Sequence, residues 1–378
     1  MRLNLAYLML FVVGFASPLA AQEAYRTDAN PDEKLPWYQT VPGQFPPEGS
    51  AHYFSGELVG VDHIRRTGVL RVSRTDAQRR SHWDLPIDFR MLPYGSVAHH
   101  GAPAALKDIP LGTHLHGWFY YKDKDEETHS IFLNRKSIED GFNKAFRLED
   151  DFTYYQNKKQ LWLVDSVDLK EMQIYLVSQA AGVKEPTKIK LDLTSATRVY
   201  QGEKIGTLED IEPGQTVLFN LTWATLYGIG RCTDLWLDEQ SRAIATAQQL
   251  EQHRLYQKDR GLAGIIEAVD NPNRVLTVTL FGGVDPQLIE DFKVSGPVHV
   301  VVAEPTLQIY DQVNDRKAGP ILEKTEIDKQ PGSSGIQIRV QPQMLLEGYR
   351  PGRIVRIFPM NWPVVTLPTE ETLWPERN

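Results

Sequence analysis

The chain has 378 residues, of which 41% are hydrophobic and 24% are charged, a balance typical of folded globular protein and not of a disordered chain. Its formal net charge of −8 disfavours nucleic acid and anionic membranes as partners bound through the overall field. The single cysteine, Cys232, excludes an intramolecular disulfide, so the cores must be held together by packing.

The first segment, residues 1–21, has the three-part layout of a secretory signal peptide. Arg2 supplies the basic start, residues 3–15 are almost entirely apolar, and small residues precede a cleavage site after Ala21. An uncleaved membrane anchor is the alternative, although the apolar run is short for a spanning helix. No later stretch is apolar for long enough to span a bilayer. The sequence therefore predicts an extracytoplasmic protein, periplasmic or secreted, with no membrane span after cleavage.

Three segments of alternating polarity begin alike and predict a repeated unit. Each has a strand that ends at Val-Asp, a polar turn and a second strand, which is the pattern of a β-hairpin. The turn residues Asp62, Asp168 and Asp270 recur at intervals of about 100 residues. The predicted segments are a proline-rich stretch over 22–50, unit 1 over 51–136, unit 2 over 159–239, unit 3 over 260–359 and a C-terminal tail over 360–378.

The three units also close alike, with a turn led by leucine and a glycine before the last strand. The closing glycines are Gly112, Gly214 and Gly352. Units 2 and 3 have Pro-Gly here, in which proline presets φ and glycine accepts a positive φ. The wider interval before Gly352 predicts an insertion in unit 3 over about 311–341, where Pro-Gly and Ser-Ser-Gly mark loop or hairpin tips.

Between the units the alternation stops, which predicts helices. Residues 137–158 and 240–259 are rich in Ala, Leu, Glu, Gln, Lys and Arg, and both end in similar residues just before the next unit. We expect these two segments to be short helices that brace neighbouring units.

A unit with a closing glycine turn and about five strands favours a small barrel of the OB type, with a β-sandwich as the open alternative. The sequence thus predicts a mainly β fold, in which three tandem OB-like β-barrel units are joined by short bracing helices. Three segments, Leu106–Gly112, Thr194–Gly214 and Leu346–Gly352, carry a similarity to known proteins. Through them the chain resembles bacterial extracytoplasmic proteins of unknown function that repeat such a barrel. Those families have no agreed catalytic residues, so the resemblance implies a fold and no chemistry.

Histidines are concentrated in and near unit 1, which has eight of the ten. His114 and His116 are two residues apart on one strand face, a workable spacing for metal ligands, and His99 and His100 precede them in a loop. Leu115 should face the barrel interior, which leaves the histidines on an outer or interdomain face. Because no acidic or cysteine ligand stands at a diagnostic spacing, we expect a polar face and no cofactor, with a transition-metal site as the alternative.

Aromatic residues of the same segment form a second candidate site. Trp118, Tyr120 and Tyr121 are candidates for a ligand-binding platform, although aromatic residues of β proteins commonly pack across strands. The acidic runs lack the spacing of a calcium loop, and the chain has no nucleophile-elbow, nucleotide-binding or zinc-protease motif, so no catalytic residue is predicted.

The sequence therefore favours an exported, non-catalytic binding or scaffold protein with a glycan, cell-surface or protein partner. Two alternatives stay open. One is a metal-binding protein that uses the histidines of unit 1. The other is a hydrolase with a site between units, where pockets commonly form.

Overall fold

The computed structural model describes residues 24–73, 86–123, 141–179, 186–222, 231–310, 316–363 and 365–373. The predicted signal peptide lies outside these ranges. Within them the fold is mainly β and contains three closed barrels, which confirms the predicted fold class and excludes the sandwich alternative. None of the helices in the described part of the chain has the length and hydropathy that crossing a bilayer requires.

Barrel 1 follows the first of the predicted units. Its strands are β1 (His52–Asp62), β2 (Thr67–Val72), β3 (Pro86–His99), β4 (Ala102–Ala104), β5 (His114–Tyr121) and β6 (Phe142–Asp150). The wall runs β1–β2–β3–β6–β5 and closes on β1, and only the β3–β6 pair is parallel. Alternate residues point inward, as the period of two requires, so Leu58, Leu115 and Phe119 are fully buried in the core.

Barrel 2 repeats the strand order of barrel 1. Its strands are β7 (Leu161–Asp168), β8 (Gln173–Gln179), β9 (Lys188–Asp192), β10 (Arg198–Gln201), β11 (Lys204–Gly206), β12 (Thr216–Thr222) and β13 (Arg231–Trp236). The wall runs β7–β8–β9–β13–β12 and closes on β7, again with one parallel pair, β9 and β13. Cys232 is buried in this core.

Barrel 3 has six strands and a different order. They are β14 (Leu262–Asp270), β15 (Val275–Phe281), β16 (Pro297–Ala303), β17 (Arg316–Glu326), β18 (Ser333–Val340) and β19 (Ile354–Pro359). The closed wall runs β14–β15–β18–β17–β16–β19 and is antiparallel throughout. The insertion predicted over 311–341 supplies β17 and β18, so it completes the wall instead of projecting from it; residues 311–315 lie outside the described ranges.

The closing turns are equivalent in all three barrels. Gly112, Gly214 and Gly352 have φ values of 92°, 91° and 81°, in the left-handed region that glycine adopts without steric cost. Each glycine donates its N–H to a carbonyl of the first strand of its own barrel, at 2.7 to 2.8 Å. The turn, which the shared sequence pattern predicts, thus ties the last part of each unit to its beginning.

The α-helices of the described ranges are α1 (Asp151–Asn157), α2 (Glu239–Arg260) and α3 (Pro286–Ile289). The helix predicted over 240–259 coincides with α2. The helix predicted over 137–158 is wrong for most of its described length, because residues 142–150 form strand β6 and only seven residues form α1. As one of the five strands of the barrel 1 wall, β6 pairs with both β3 and β5, and this tertiary pairing overrides a composition that favours helix.

Helix α2 contacts all three barrels. Arg242 donates from Nη1 to the Thr216 carbonyl of barrel 2 at 2.7 Å, and Thr246 donates from Oγ1 to the His100 carbonyl of barrel 1 at 2.7 Å. Near its end, the Gln257 amide donates to the Gly283 carbonyl of barrel 3 at 3.0 Å. One helix therefore braces the whole molecule, which is more than the pairwise brace that the sequence predicts.

Candidate functional site

Strand β5 places His114 and His116 on the outer face of barrel 1, while Leu115 between them points into the core. Helix α1 and strand β12 of barrel 2 cover this outer face, and a β-bridge joins Thr113 to Thr222 across the boundary. Both histidines are consequently buried, at 8% and 5% exposure. The histidine face is therefore interdomain and not solvent-exposed, which is one of the two positions that the sequence leaves open.

Asp151, the first residue of α1, connects the two histidines. Its Oδ1 lies 2.8 Å from His114 Nδ1 and 3.1 Å from His116 Nε2. Its Oδ2 accepts the backbone N–H of Leu221 in barrel 2 at 3.0 Å. One carboxylate therefore holds two imidazoles of barrel 1 against a strand of barrel 2.

The outer nitrogens of the two imidazoles also have partners. His114 Nε2 lies 3.2 Å from Ser73 Oγ, and His116 Nδ1 lies 2.8 Å from the Tyr53 hydroxyl. The His116 ring stacks on Tyr154 of α1, with 3.5 Å between the ring centroids. Every polar side-chain atom of the two histidines therefore lies within hydrogen-bonding distance of a protein group, as buried polar groups require.

Asp150 forms a second network beside the first. Its Oδ2 lies 2.7 Å from His99 Nδ1 and accepts the backbone N–H of His100 at 3.0 Å and the side-chain amide of Asn220 at 2.9 Å. Its Oδ1 accepts the backbone N–H of Thr153 at 2.9 Å, which caps α1. Asn220 belongs to β12, so this network also joins barrels 1 and 2.

The ionisation states in these networks follow from burial and pairing. Burial alone would raise the pKa of Asp150 and Asp151, but the neighbouring histidines outweigh it, and both pKa values lie below the usual range. Burial lowers the pKa of His116, and it lowers the pKa of His100 to about 4. At neutral pH both carboxylates are therefore ionised, and His100 and His116 are neutral.

The four histidines considered as metal ligands fall into two groups instead of one. His99 and His100 lie with Asp150, and His114 and His116 lie with Asp151; in each group the ligand atoms lie within 4.8 Å of one another. Two imidazoles and a carboxylate suit a transition metal. In the second group, however, the nitrogen and oxygen atoms that could bind a metal already form hydrogen bonds to one another and to neighbouring residues. A metal would therefore have to displace those hydrogen bonds. A metal site stays a prediction.

In these two networks, sequence reasoning missed both aspartates, Asp150 and Asp151. The acidic run of residues 149–151 was predicted to lie on the helix over 137–158, whereas Asp150 ends β6 and Asp151 begins α1. An available signal was Asp150 three residues before Thr153, because aspartate is a favoured helix N-cap. A helix that starts there leaves the preceding residues free to pair with β5 as a strand.

The three aromatic residues proposed as a platform do not share one surface. The Arg147 guanidinium lies 3.7 Å from the centre of the Trp118 ring. Tyr120 is 2% exposed, and its hydroxyl lies 3.0 Å from Ser50 Oγ. Tyr121 follows on the opposite face of β5. A ligand-binding role for these residues stays a prediction.

A further polar site, which the sequence reasoning did not find, lies where barrel 1, α2 and barrel 3 meet. It is a partly open cleft with a volume of about 130 Å³. Three arginines from three different elements line it: Arg66 from the β1–β2 turn, Arg260 from the end of α2 and Arg356 from β19. The ring of Tyr256, also from α2, lines the same cleft.

Two of these arginines bond to the backbone and not to carboxylates. Arg66 donates to the carbonyls of Leu92, Pro93 and Gly95 at 2.9 to 3.3 Å. Arg356 donates from Nε to the Leu307 carbonyl at 2.8 Å and from Nη1 to the carbonyl of residue 260 at 3.0 Å. Within the described ranges, neither guanidinium forms an ion pair. Burial lowers the pKa of each to about 10, so both stay charged at neutral pH.

The third arginine is paired. Arg260 donates from Nε and Nη2 to the two carboxylate oxygens of Glu371, at 2.7 and 2.5 Å. This bidentate pair ties the end of α2 to the C-terminal segment. The charges of the cleft are therefore unbalanced, with three guanidinium groups and one carboxylate on its lining.

Comparison of the chain with protein-family models, with curated proteins and with solved structures finds no match. The three barrels are seen directly, whereas the resemblance to repeat families of unknown function stays a prediction. Small barrels serve unrelated functions, so the fold alone assigns none.

Proposed function

We propose that this protein is an exported, non-catalytic binding protein whose three barrels form a frame around the cleft between barrel 1, α2 and barrel 3. The observation that carries the proposal is the convergence of three arginines on one cleft in a chain with a formal net charge of −8. The shared strand order of barrels 1 and 2 supports the OB-like interpretation, and barrels of that type commonly bind polar ligands. The predicted signal peptide supports export.

The interfaces around the cleft favour binding by a preorganised site. Helix α2 bonds to each barrel, and the networks of Asp150 and Asp151 join barrels 1 and 2 through buried hydrogen bonds. A site whose walls are already fixed loses little conformational entropy when a ligand binds. The frame therefore supports a binding role more directly than a structural role alone.

The test is a ligand screen with a variant that fills the cleft. Purified protein is screened by thermal shift against neutral sugars, sugar acids and phosphates, and hits are measured by titration calorimetry. Ser96 lines the cleft, so Ser96→Trp should abolish binding. The matched control is Ser195→Trp at an exposed turn of barrel 2, which should bind normally. A hit that Ser96→Trp binds as tightly as the parent protein, or a screen without hits, contradicts the proposal.

Export is tested separately by expressing the full chain and fractionating the cells. Mature protein that begins at Gln22 and lies outside the cytoplasm is the expected result. A chain that keeps residues 1–21 and stays in the membrane fraction would support the uncleaved anchor instead.

One arrangement supports a second candidate function, a hydrolase at the interface of barrels 1 and 2. Ser73 Oγ lies 3.2 Å from His114 Nε2, and His114 Nδ1 lies 2.8 Å from Asp151 Oδ1. This is the order of nucleophile, general base and orienting carboxylate in serine hydrolases.

A fluorophosphonate probe distinguishes this second candidate, because it labels activated serines covalently. If the hydrolase proposal holds, the probe modifies Ser73, and His114→Gln prevents the reaction while Ser195→Ala does not. An unmodified Ser73 after prolonged exposure to the probe removes the hydrolase from consideration.

The metal alternative is tested by elemental analysis of protein purified without a histidine tag. The saturated hydrogen bonds of the His114 group lead us to expect less than about one-tenth equivalent of transition metal. A stoichiometric metal that Asp151→Asn removes would establish the alternative.

A further inference from the structure

We infer that the cleft between barrel 1, α2 and barrel 3 binds a compact anion, a small molecule with a carboxylate or phosphate group, through Arg66 and Arg356. This inference rests on the proposed function and adds the chemical class of the ligand.

The first argument is the missing counter-charge. Buried charges in folded proteins are normally paired, because removal from water is costly unless an opposite charge repays it. Arg356 is buried and Arg66 is half-buried, both line the same cleft, and their hydrogen bonds go to backbone carbonyls. An anion between them supplies the charge that the described part of the protein does not provide.

The second argument is unused hydrogen-bonding capacity. A guanidinium has five N–H donors. Arg66 uses those of Nη1 and one of Nη2, and Arg356 uses Nε and Nη1, so the described residues leave Nε of Arg66 and Nη2 of Arg356 without acceptors. His253 of α2 also lines the cleft, and its buried Nδ1 has no hydrogen-bond partner among the described residues. Among the described residues, one N–H group of each arginine and one ring nitrogen of His253 thus lack hydrogen-bond partners around the same cleft.

The third argument is size. One water needs about 10–15 Å³ of cavity, so the cleft of about 130 Å³ has space for roughly ten water-sized positions. That space fits a phosphate or a single sugar acid. The Tyr256 ring forms part of the wall, and the cations of Arg260 and Lys107 lie 4.0 and 4.9 Å from its centre. Arg260 and Lys107 therefore add positive charge to the lining of the cleft.

The experiment compares three probes on the purified protein by titration calorimetry. D-glucuronate carries a carboxylate, D-glucose is its neutral match, and inorganic phosphate is the alternative anion. We expect glucuronate or phosphate to bind and glucose not to bind, and we expect the affinity to fall as sodium chloride rises. Binding of glucuronate alone or of phosphate alone identifies which of the two anionic groups the cleft takes, and either result supports the inference.

Variants locate the bound anion. Arg66→Gln and Arg356→Gln should each weaken binding at least tenfold, because each removes charge-assisted hydrogen bonds. These arginines also bond to backbone carbonyls, so their replacement can disturb the fold. Lys107→Glu at the rim of the cleft lowers the positive potential of the cleft without changing either arginine, and it should weaken binding several-fold. Lys170→Glu, on an exposed turn of barrel 2, is the matched control and should leave affinity unchanged.

The failure of this inference is distinguishable from failure of the proposed function. Suppose that glucose binds as tightly as glucuronate and that Ser96→Trp abolishes this binding while Lys107→Glu leaves it unchanged. The inference of an anionic ligand is then wrong, and the proposed binding function still holds. If neither anion binds at millimolar concentration, the inference of an anionic ligand is also wrong. The wider ligand screen then decides whether the proposed function holds. Anion binding that Lys107→Glu and Lys170→Glu reduce equally would place the anion outside the cleft and overturn the inference too.

Discussion

Asp151 shows what a single buried carboxylate contributes to this molecule. It accepts hydrogen bonds from both imidazoles of β5 and from the backbone of β12, so it touches two barrels at once. Removing one partner of a buried ionic network leaves the others desolvated and unpaired, which costs more than the pair itself contributes. The residue is therefore a structural connection between barrels 1 and 2, whatever chemistry its neighbours perform.

Replacement of this carboxylate should destabilise the protein strongly. We expect Asp151→Asn to lower the free energy of unfolding by about 3 kcal/mol, because the amide keeps the shape but loses the charge. Asp328→Asn, at an exposed position, is the control and should change it by less than about 0.5 kcal/mol. Denaturant unfolding measures both, and equal effects of the two variants would show that the network is not stabilising.

Acid should weaken the same interface. The pKa of His100 is about 4 in the folded protein, against an ordinary value of 6.5, so the unfolded chain takes up a proton that the folded chain refuses. The contribution of His100 to the free energy of unfolding is therefore fully present above pH 6.5 and is lost between pH 6.5 and pH 4. This loss amounts to about 3 kcal/mol. The lowered pKa of His116 acts in the same direction, and those of Asp150 and Asp151 extend the loss to lower pH.

The control for the acid effect is His100→Asn, because asparagine tolerates the positive φ of 50° at this position. Unfolding free energies measured from pH 7.5 to pH 4 should fall less steeply for this variant than for the parent protein. Parallel curves would show that His100 does not carry the effect.

The sequence located part of this site and missed the rest. The alternation around Leu115 was enough to place His114 and His116 on one outer face, because side-chain direction in a strand is local. What covers that face was not predictable, because it depends on how barrel 2 packs on barrel 1. Arg66 and Arg356 are 290 residues apart in number, and no local pattern connects them.

At the scale of secondary structure, the closing turns are the most regular elements. Gly214 has a φ of 91°, and a Cβ added there would meet nothing within 4 Å. The cost of a side chain at this position is therefore backbone strain alone. The turn was predictable from Pro-Gly, since its chemistry lies within four residues.

This isolation makes Gly214 a clean test of the turn. Gly214→Ala should lower the free energy of unfolding by about 1–2 kcal/mol, and Gly214→Asn by less, because asparagine enters the left-handed region more readily. Thermal and denaturant unfolding measure both variants. An alanine variant as stable as the parent protein would contradict the assignment of strain to this turn.

Strand β6 shows where prediction from sequence stops. Its residues have helix-favouring composition, and its identity as a strand is fixed by two neighbours, β3 and β5, that are distant in the chain. The inserted hairpin of barrel 3 is a related case. Its turn residues mark the tip between β17 and β18, but only the pairing with β15 and β16 makes it part of the wall.

At the scale of the whole molecule, the three barrels share interfaces instead of standing apart. Helix α2 bonds to each barrel, and barrels 1 and 2 share the two aspartate networks. Elements that bury each other's polar groups unfold together, because opening one interface exposes unpaired groups on both sides.

We therefore expect one cooperative unfolding transition in scanning calorimetry, with equal calorimetric and van 't Hoff enthalpies. Asp151→Asn should broaden or split the transition, since it weakens the connection between barrels 1 and 2, whereas Asp328→Asn should leave it single. Separate transitions in the parent protein would mean that the barrels are independent domains.

The bond from Thr246 to the His100 carbonyl spans 146 residues, and this distance sets an order of events during synthesis. A nascent chain that emerges from its N-terminus can close the wall of barrel 1 once β6 has appeared, long before α2 exists. Until then the surface around β4 and the guanidinium of Arg66 face solvent without their cover. Assembly is therefore sequential, and the cleft is the last feature to form, because it waits for β19 and the C-terminal segment with Glu371.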